Sequence, residues 1–202
     1  MPQRHVLFYA LGGGLGHITR SLALARELLN HGVQSTIVSN SDRLPHVAIT
    51  VPDGVQLEVL AAETSAPQSQ AFFQTQLNSR PAALIVDTFP RGIGGELVEL
   101  FEGSPDTARV LVSRTLPESY LNAFEIQDFV RQRYDLVLSP GGESPFEELT
   151  QCLQIPPMLL RNADEIMSRG VARKALDCHS ARLVLLVASG RQEEVDLSLI
   201  HI

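Results

Sequence analysis

The chain is expected to fold as an α/β protein with a doubly wound parallel sheet, and three features of its sequence predict this. Short, unbroken apolar runs recur through the first two thirds of the chain; helical periodicities fit between most of them; and a glycine cluster separates the first run from the first helix. Unbroken apolar runs mark strands buried on both faces, and right-handed crossovers lay helices over both sides of such a sheet.

The first run is His5 to Ala10. Ile18, Leu22, Ala25 and Leu29 then follow at helical spacing, and Gly32 closes the helix. Further strands are expected at Gln34 to Ser39, Val55 to Leu60, Ala82 to Val86, Ala108 to Val112 and Leu136 to Ser139. Residues Ala61 to Arg80 are polar and Gln-rich around Phe72, Phe73 and Leu77, which predicts a loop leading into one short helix. Ser144-Pro145-Phe146-Glu147 has the form of a capping box with proline at the first helical position, so a helix is expected to start there. Asn162 followed by Glu165 signals another helix, to about Leu176, and an apolar strand is expected at Leu183 to Val187.

These elements divide the chain into a first domain over residues 1–154, a linker over 155–162 and the start of a second domain over 163–196. The last six residues, 197–202, match the in-frame translation of a common sequencing-library transposon adapter. They are set aside as a scar, which makes truncation of a longer gene the expectation.

Composition narrows the function. With 16 basic against 23 acidic residues and a formal charge of -7, a nucleic-acid role built on many phosphate contacts is not expected. The two cysteines, Cys152 and Cys178, form no CxxC and have no histidine at zinc-finger spacing, so they are expected to be reduced thiols rather than a disulfide or metal framework. No apolar run approaches the roughly 20 residues that cross a bilayer, and no signal-peptide pattern opens the chain. A cytoplasmic location is expected, with peripheral membrane attachment left open.

The loop Leu11-Gly12-Gly13-Gly14-Leu15-Gly16-His17 places backbone amides at a helix N-terminus, where they can hold an anion or a polar ligand. The dinucleotide fingerprint needs glycine where His17 stands and an acidic residue at the end of the second strand, where Ser39-Asn40 stand. A P-loop needs Gly-Lys-Ser/Thr where Gly16-His17-Ile18 stand. Neither a nicotinamide cofactor nor ATP hydrolysis is therefore expected.

The stretch Gly14-Leu15-Gly16-His17-Ile18-Thr19-Arg20-Ser21-Leu22-Ala23-Leu24-Ala25 resembles the first loop of GT-B glycosyltransferases related to the lipid-linked muropeptide N-acetylglucosaminyltransferase, and most closely the bacterial predicted glycosyltransferases of that group. Val86-Asp87-Thr88-Phe89-Pro90-Arg91-Gly92 with Gly94-Gly95-Glu96-Leu97 is similar to the fourth-strand motif of the same group. The resemblance implies two Rossmann-like domains: the first takes the acceptor, and the second, here cut short, takes a nucleotide-diphosphate sugar. It implies no cofactor and no catalytic metal.

In an open α/β sheet of order 3-2-1-4-5, the loop after the first strand and the end of the fourth face one crevice. This makes His17 and Asp87 a candidate pair, with His17 as general base or acceptor-positioning group and Asp87 as its partner or the alternative base. Each also has a plain structural reading: His17 as a helix N-terminal residue bonded to a backbone carbonyl, and Asp87 as a cap or turn residue before Pro90. Gly13, Gly14, Gly16 and Arg20 are candidates for binding acceptor or diphosphate oxygens, and Arg114 and Glu143, at other strand ends, for lining the cleft. Ser189, Gly190 and Arg191 are candidates for the diphosphate-binding turn of the second domain. Two other functions stay open: a noncatalytic acceptor-side subunit of a split glycosyltransferase, and a sugar-nucleotide epimerase of related two-domain plan.

Overall fold

A computed structural model describes residues 4–42, 44, 51–104, 106–142 and 144–178. The chain divides into two compact units, residues 1–160 and 161–202. In the first unit the strands are β1 (His5–Ala10), β2 (Gln34–Ser39), β3 (Val55–Val59), β4 (Ala83–Asp87), β5 (Ala108–Val112), β6 (Leu136–Pro140) and β7 (Cys152–Ile155). Its helices are α1 (Leu15–Asn30), α2 (Ala66–Leu77), α3 (Leu97–Gly103), α4 (Glu118–Ala123) and α5 (Ile126–Arg133).

All pairings are parallel and the strand order is β3-β2-β1-β4-β5-β6-β7. The protein is therefore a doubly wound α/β protein. The chain winds outward one way from β1 through β2 to β3 and the other way from β4 onward, so the switch point lies between β1 and β4.

Strand periodicity divides β1 between two core layers. Val6, Phe8 and Ala10 pack with Ile18, Leu22 and Ala25 of α1, whereas Leu7, Tyr9 and Leu11 pack with Phe73 and Leu77 of α2 and with Leu97, Leu100 and Phe101 of α3. Ile18, Leu22 and Ala25 are fully buried, so this face of α1 is the one laid on the sheet. Burying a side chain such as Leu22 contributes roughly 1.5–3 kcal/mol.

Two expected helix starts are corrected. The Ser144 box forms, with Ser144 N–H donating to Glu147 Oε1 at 2.9 Å and Phe146 N–H to Ser144 Oγ at 3.2 Å. No helix follows, because Phe146 and Leu149 anchor a tight turn that delivers the chain straight into β7. That strand, β7, is itself unanticipated.

In the second unit the Asn162–Glu165 signal caps only a single 3-10 turn, Ala163–Glu165, in which Asn162 N–H donates to Glu165 Oε2 at 2.7 Å. The helix α6 (Arg169–Ala175) starts instead at Ser168, whose side chain accepts from Val171 N–H. The strand expected at 183–187 and the tail 197–202 lie outside the described residues. Among the described residues, no helix is long and apolar enough to cross a membrane.

Candidate active site

The C-terminal ends of β1 and β4 lie side by side, in register from Val6 with Ala83 to Tyr9 with Val86. The loop after β1 runs directly into α1, whose first turn carries His17 and whose second carries Arg20. Asp87 is the last residue of β4 and is 1% exposed.

These three side chains meet. His17 Nδ1 lies 2.6 Å from Asp87 Oδ2. Arg20 grips the same carboxylate at two points, Nε donating to Oδ1 at 2.8 Å and Nη2 to Oδ2 at 2.7 Å. Thr88 Oγ1 donates to Oδ2 at 3.1 Å and accepts from Arg20 Nη2 at 3.3 Å. Burial alone would push the Asp87 carboxyl up, but the hydrogen bonds from Arg20 and His17, and then their charges, outweigh it and hold the group below its usual 3.8. His17 thus bonds a carboxylate rather than a backbone carbonyl, and Asp87 caps no helix. The Phe89 ring stacks on the imidazole, with centroids 5.7 Å apart and planes 26° apart.

The glycine loop is shaped around these side chains. A Cβ on Gly12, whose φ is +144°, would lie 2.3 Å from His17 Nε2. Glycine therefore lets the loop backbone lie against the face of the imidazole at Nε2, the ring nitrogen that does not face Asp87. A Cβ on Gly16 would lie 3.0 Å from Arg20 Nη1, so the guanidinium rests against the bare helix backbone there.

The amides of Gly12 and Gly13 donate to Asn40 Oδ1 at 2.9 and 3.1 Å. Ser41 Oγ donates to the Gly13 carbonyl at 2.8 Å. The Gly13 amide, expected to face a ligand, is instead tied to the end of β2. Gly14 is the N-cap of α1 in an extended conformation with no side-chain cap, so the first-turn amides have no partner inside the helix. Arg20, expected to reach an acceptor or diphosphate oxygen, is committed to Asp87.

Thr88 adopts φ +74°, a left-handed conformation rare for a β-branched residue. Its amide donates to the Val112 carbonyl at 3.0 Å. Backbone strain of this kind clusters at functional sites, and here it turns the chain sharply beside Asp87.

The loop that follows is pinned from beneath. Tyr9 Oη donates to Glu96 Oε1 at 2.5 Å and accepts from Ile93 N–H at 2.8 Å, and Gly94 N–H donates to Glu96 Oε2 at 2.8 Å. Burial, and then the Glu96 carboxylate, push the Tyr9 phenol well above its usual range. A Cβ on Gly92 would fall 2.6 Å from Glu96 Oε2, so the loop closes on this buried carboxylate only with glycine there. Above it, Arg91, Gly92, Ile93, Gly94, Tyr120 and Phe124 line a cavity of about 270 Å³. Phe89 connects this cavity to His17, its ring packing edge-on against Tyr120 at 6.3 Å and flat on the imidazole.

Arg114 is exposed and lines a different, polar cavity of about 270 Å³ with Ser113, Thr115, Ser139 and Gly142. Glu143, Ser189, Gly190 and Arg191 lie outside the described residues. Among the described residues, no group of three or more His, Cys, Asp or Glu side chains is placed to hold a metal ion. Asn40, Thr88 and Phe89 were not anticipated. An amide side chain at the end of the second strand was the available signal for Asn40, and a threonine directly after the strand-ending Asp87 was the one for Thr88.

No protein-family model and no curated protein matches the chain. Solved structures similar to it include Phytolacca americana UGT2 complexed with UDP-2fluoro-glucose and pterostilbene, at 11% identity over 86% of this chain and 57% of that one, with a TM-score of 0.52. They also include Os79 T291V from O. sativa in complex with UDP, at 16% identity over 87% of this chain and 57% of that one, with a TM-score of 0.53. The chain thus spans 57% of the length of each. At these identities the likeness is one of fold, and it agrees with the parallel α/β sheet.

Proposed function

We propose that the chain is the acceptor-side half of a GT-B glycosyltransferase, which moves a sugar from a nucleotide-diphosphate sugar to an acceptor hydroxyl with His17 as general base. The observation that carries this is the 2.6 Å contact between His17 Nδ1 and Asp87 Oδ2 at the switch point of the sheet. A carboxylate on Nδ1 leaves Nε2 as the basic nitrogen, on an imidazole whose side chain is 12% exposed.

In the reaction, Nε2 takes the acceptor hydroxyl proton as the oxygen attacks the anomeric carbon. The bond from that carbon to the diphosphate breaks, and its electron pair leaves with the nucleoside diphosphate. Asp87 stays ionised and stabilises the imidazolium that forms. Asp87 is a poor alternative base, because Oδ1 accepts from Arg20 and Oδ2 from His17, Arg20 and Thr88, and these bonds hold the carboxyl below its usual range.

Two further observations support the donor class: both structural neighbours named above carry UDP or a UDP-sugar, and the two sequence motifs resemble those of nucleotide-sugar enzymes. Affiliation with the muropeptide group rests on those motifs. Binding of the donor by Ser189, Gly190 and Arg191, an acceptor contact from Arg114 or Glu143, the division of the chain at residues 155–162 and a cytoplasmic location belong to the same proposal.

The test is nucleoside diphosphate release from a panel of nucleotide sugars with mixed acceptors, using this chain supplied with a donor-binding half, in one polypeptide or as a second subunit. Acceptor-dependent release from one donor class is expected. A folded protein that releases nothing with any donor would count against glycosyl transfer.

A further inference from the structure

Of the two side chains from α1 that meet Asp87, Arg20 is the one that general-base chemistry does not need, yet it makes the more extensive contact. It supplies two of the bonds to the carboxylate, one to each oxygen, and the bond to Oδ2 at 2.7 Å shares that oxygen with His17. Paired parallel bonds between a guanidinium and a carboxylate fix rotation as well as position. A carboxylate held by His17 alone would be free to turn about its Cβ–Cγ bond.

The sequence around Arg20 suits this arrangement. Arg20 lies three residues after His17, so both project from one face of α1. Gly16, one turn earlier, leaves the backbone bare where Nη1 rests. The side chain of Arg20 is 18% exposed against 1% for Asp87, which leaves little of the guanidinium for a ligand.

We propose that Arg20 is a positioning residue: by gripping both oxygens of Asp87 it aims Oδ2 at His17 Nδ1, fixes the imidazole proton on Nδ1 and leaves Nε2 unprotonated. This rests on the assignment of His17 as the base, because only then does the tautomer matter for turnover. The charged and titratable groups facing Asp87 are His17 and Arg20, both from α1, with the Thr88 hydroxyl beside them at the end of β4. No second carboxylate competes for the guanidinium among these contacts.

The consequence is a division of labour within one helix turn. His17 handles the proton, while Arg20 keeps the carboxylate ionised and pointed. Loss of Arg20 should therefore leave the base present but wrongly tautomerised for part of the time.

The test needs no turnover, so its failure is distinct from failure of the glycosyltransferase assignment. Nitrogen-15 spectra of the 202-residue chain, with His17 identified by difference from His17→Gln, report which ring nitrogen carries the proton. Carbon-13 spectra of the Asp87 carboxyl report its titration. The wild type should show a single Nδ1–H tautomer at His17 and an Asp87 carboxyl ionised to below pH 3.8.

Arg20→Met should raise the Asp87 midpoint by about one pH unit or more and give a mixture of His17 tautomers. Arg20→Lys keeps the charge but offers one contact point, so it should recover most of the midpoint and not the single tautomer. If Arg20→Met does not fold, Gly16→Ala takes its place: it keeps the arginine but crowds its guanidinium, and should move both signals the same way by less. A folded variant with the Asp87 midpoint and the His17 tautomer both unchanged would overturn the proposal.

Discussion

His17 Nδ1 and Asp87 Oδ2 lie 2.6 Å apart although 70 residues separate them. The fold closes that distance: the loop after β1 and the end of β4 meet at the switch point of the sheet, the usual ligand crevice of open α/β proteins. At that crevice sit a partly exposed imidazole bonded through Nδ1 and a buried carboxylate gripped at both oxygens by an arginine.

Gly12 is expected to be required for activity more than for folding. In Gly12→Ala the new Cβ would overlap the ring at Nε2, 2.3 Å away, and φ +144° would be strained. On the proposed function, turnover of the chain supplied with a donor-binding half should fall by about 10², the size of a lost general base. Thermal unfolding of the chain should report a cost of only about 1–3 kcal/mol. Normal turnover in a folded Gly12→Ala protein would show that the space beside Nε2 is not used.

Thr88 combines φ +74° with a hydroxyl bonded to Asp87. Thr88→Ala and Thr88→Gly both lose the hydroxyl, but only glycine relaxes the backbone. Thr88→Gly should therefore be the more stable of the two by about 1–2 kcal/mol. Urea denaturation midpoints compare them directly, and equal midpoints would mean that the strain is absorbed elsewhere.

Asp87 should set part of the acid stability of the chain. Its folded carboxyl titrates below its usual 3.8, so the unfolded state binds the proton more readily. The contribution is complete above about pH 4 and is lost as pH falls through the lower folded value. Urea denaturation from pH 5 downward should show wild-type stability falling more steeply than that of Asp87→Asn, which has no proton to gain. Parallel slopes would mean that the carboxylate is not held ionised by its partners.

The strand and helix alternation through β6 was legible because the central strands are buried on both faces and read as unbroken apolar runs. β7 was not, since Cys152-Leu153-Gln154-Ile155 is a half-exposed edge strand, with Leu153 itself 52% exposed. Ser144 carried a true capping signal, but tertiary packing of Phe146 and Leu149 took the chain elsewhere. At the site, topology alone brought His17 and Asp87 to one crevice.

The destination of Arg20 could not be read the same way. Helical spacing gives its face but not which of several partners its long side chain will choose. Asn40 is a further case: judged against the dinucleotide fingerprint it marks only a missing acid, whereas in the fold its side-chain oxygen holds the glycine loop by two amides.

The most direct measurement is the turnover of His17→Ala against wild type, with the chain supplied with a donor-binding half, nucleoside diphosphate release as the readout and circular dichroism to confirm the fold. The general-base account predicts a fall of about 10² or more at saturating donor and acceptor. Turnover within a few-fold of wild type would contradict it.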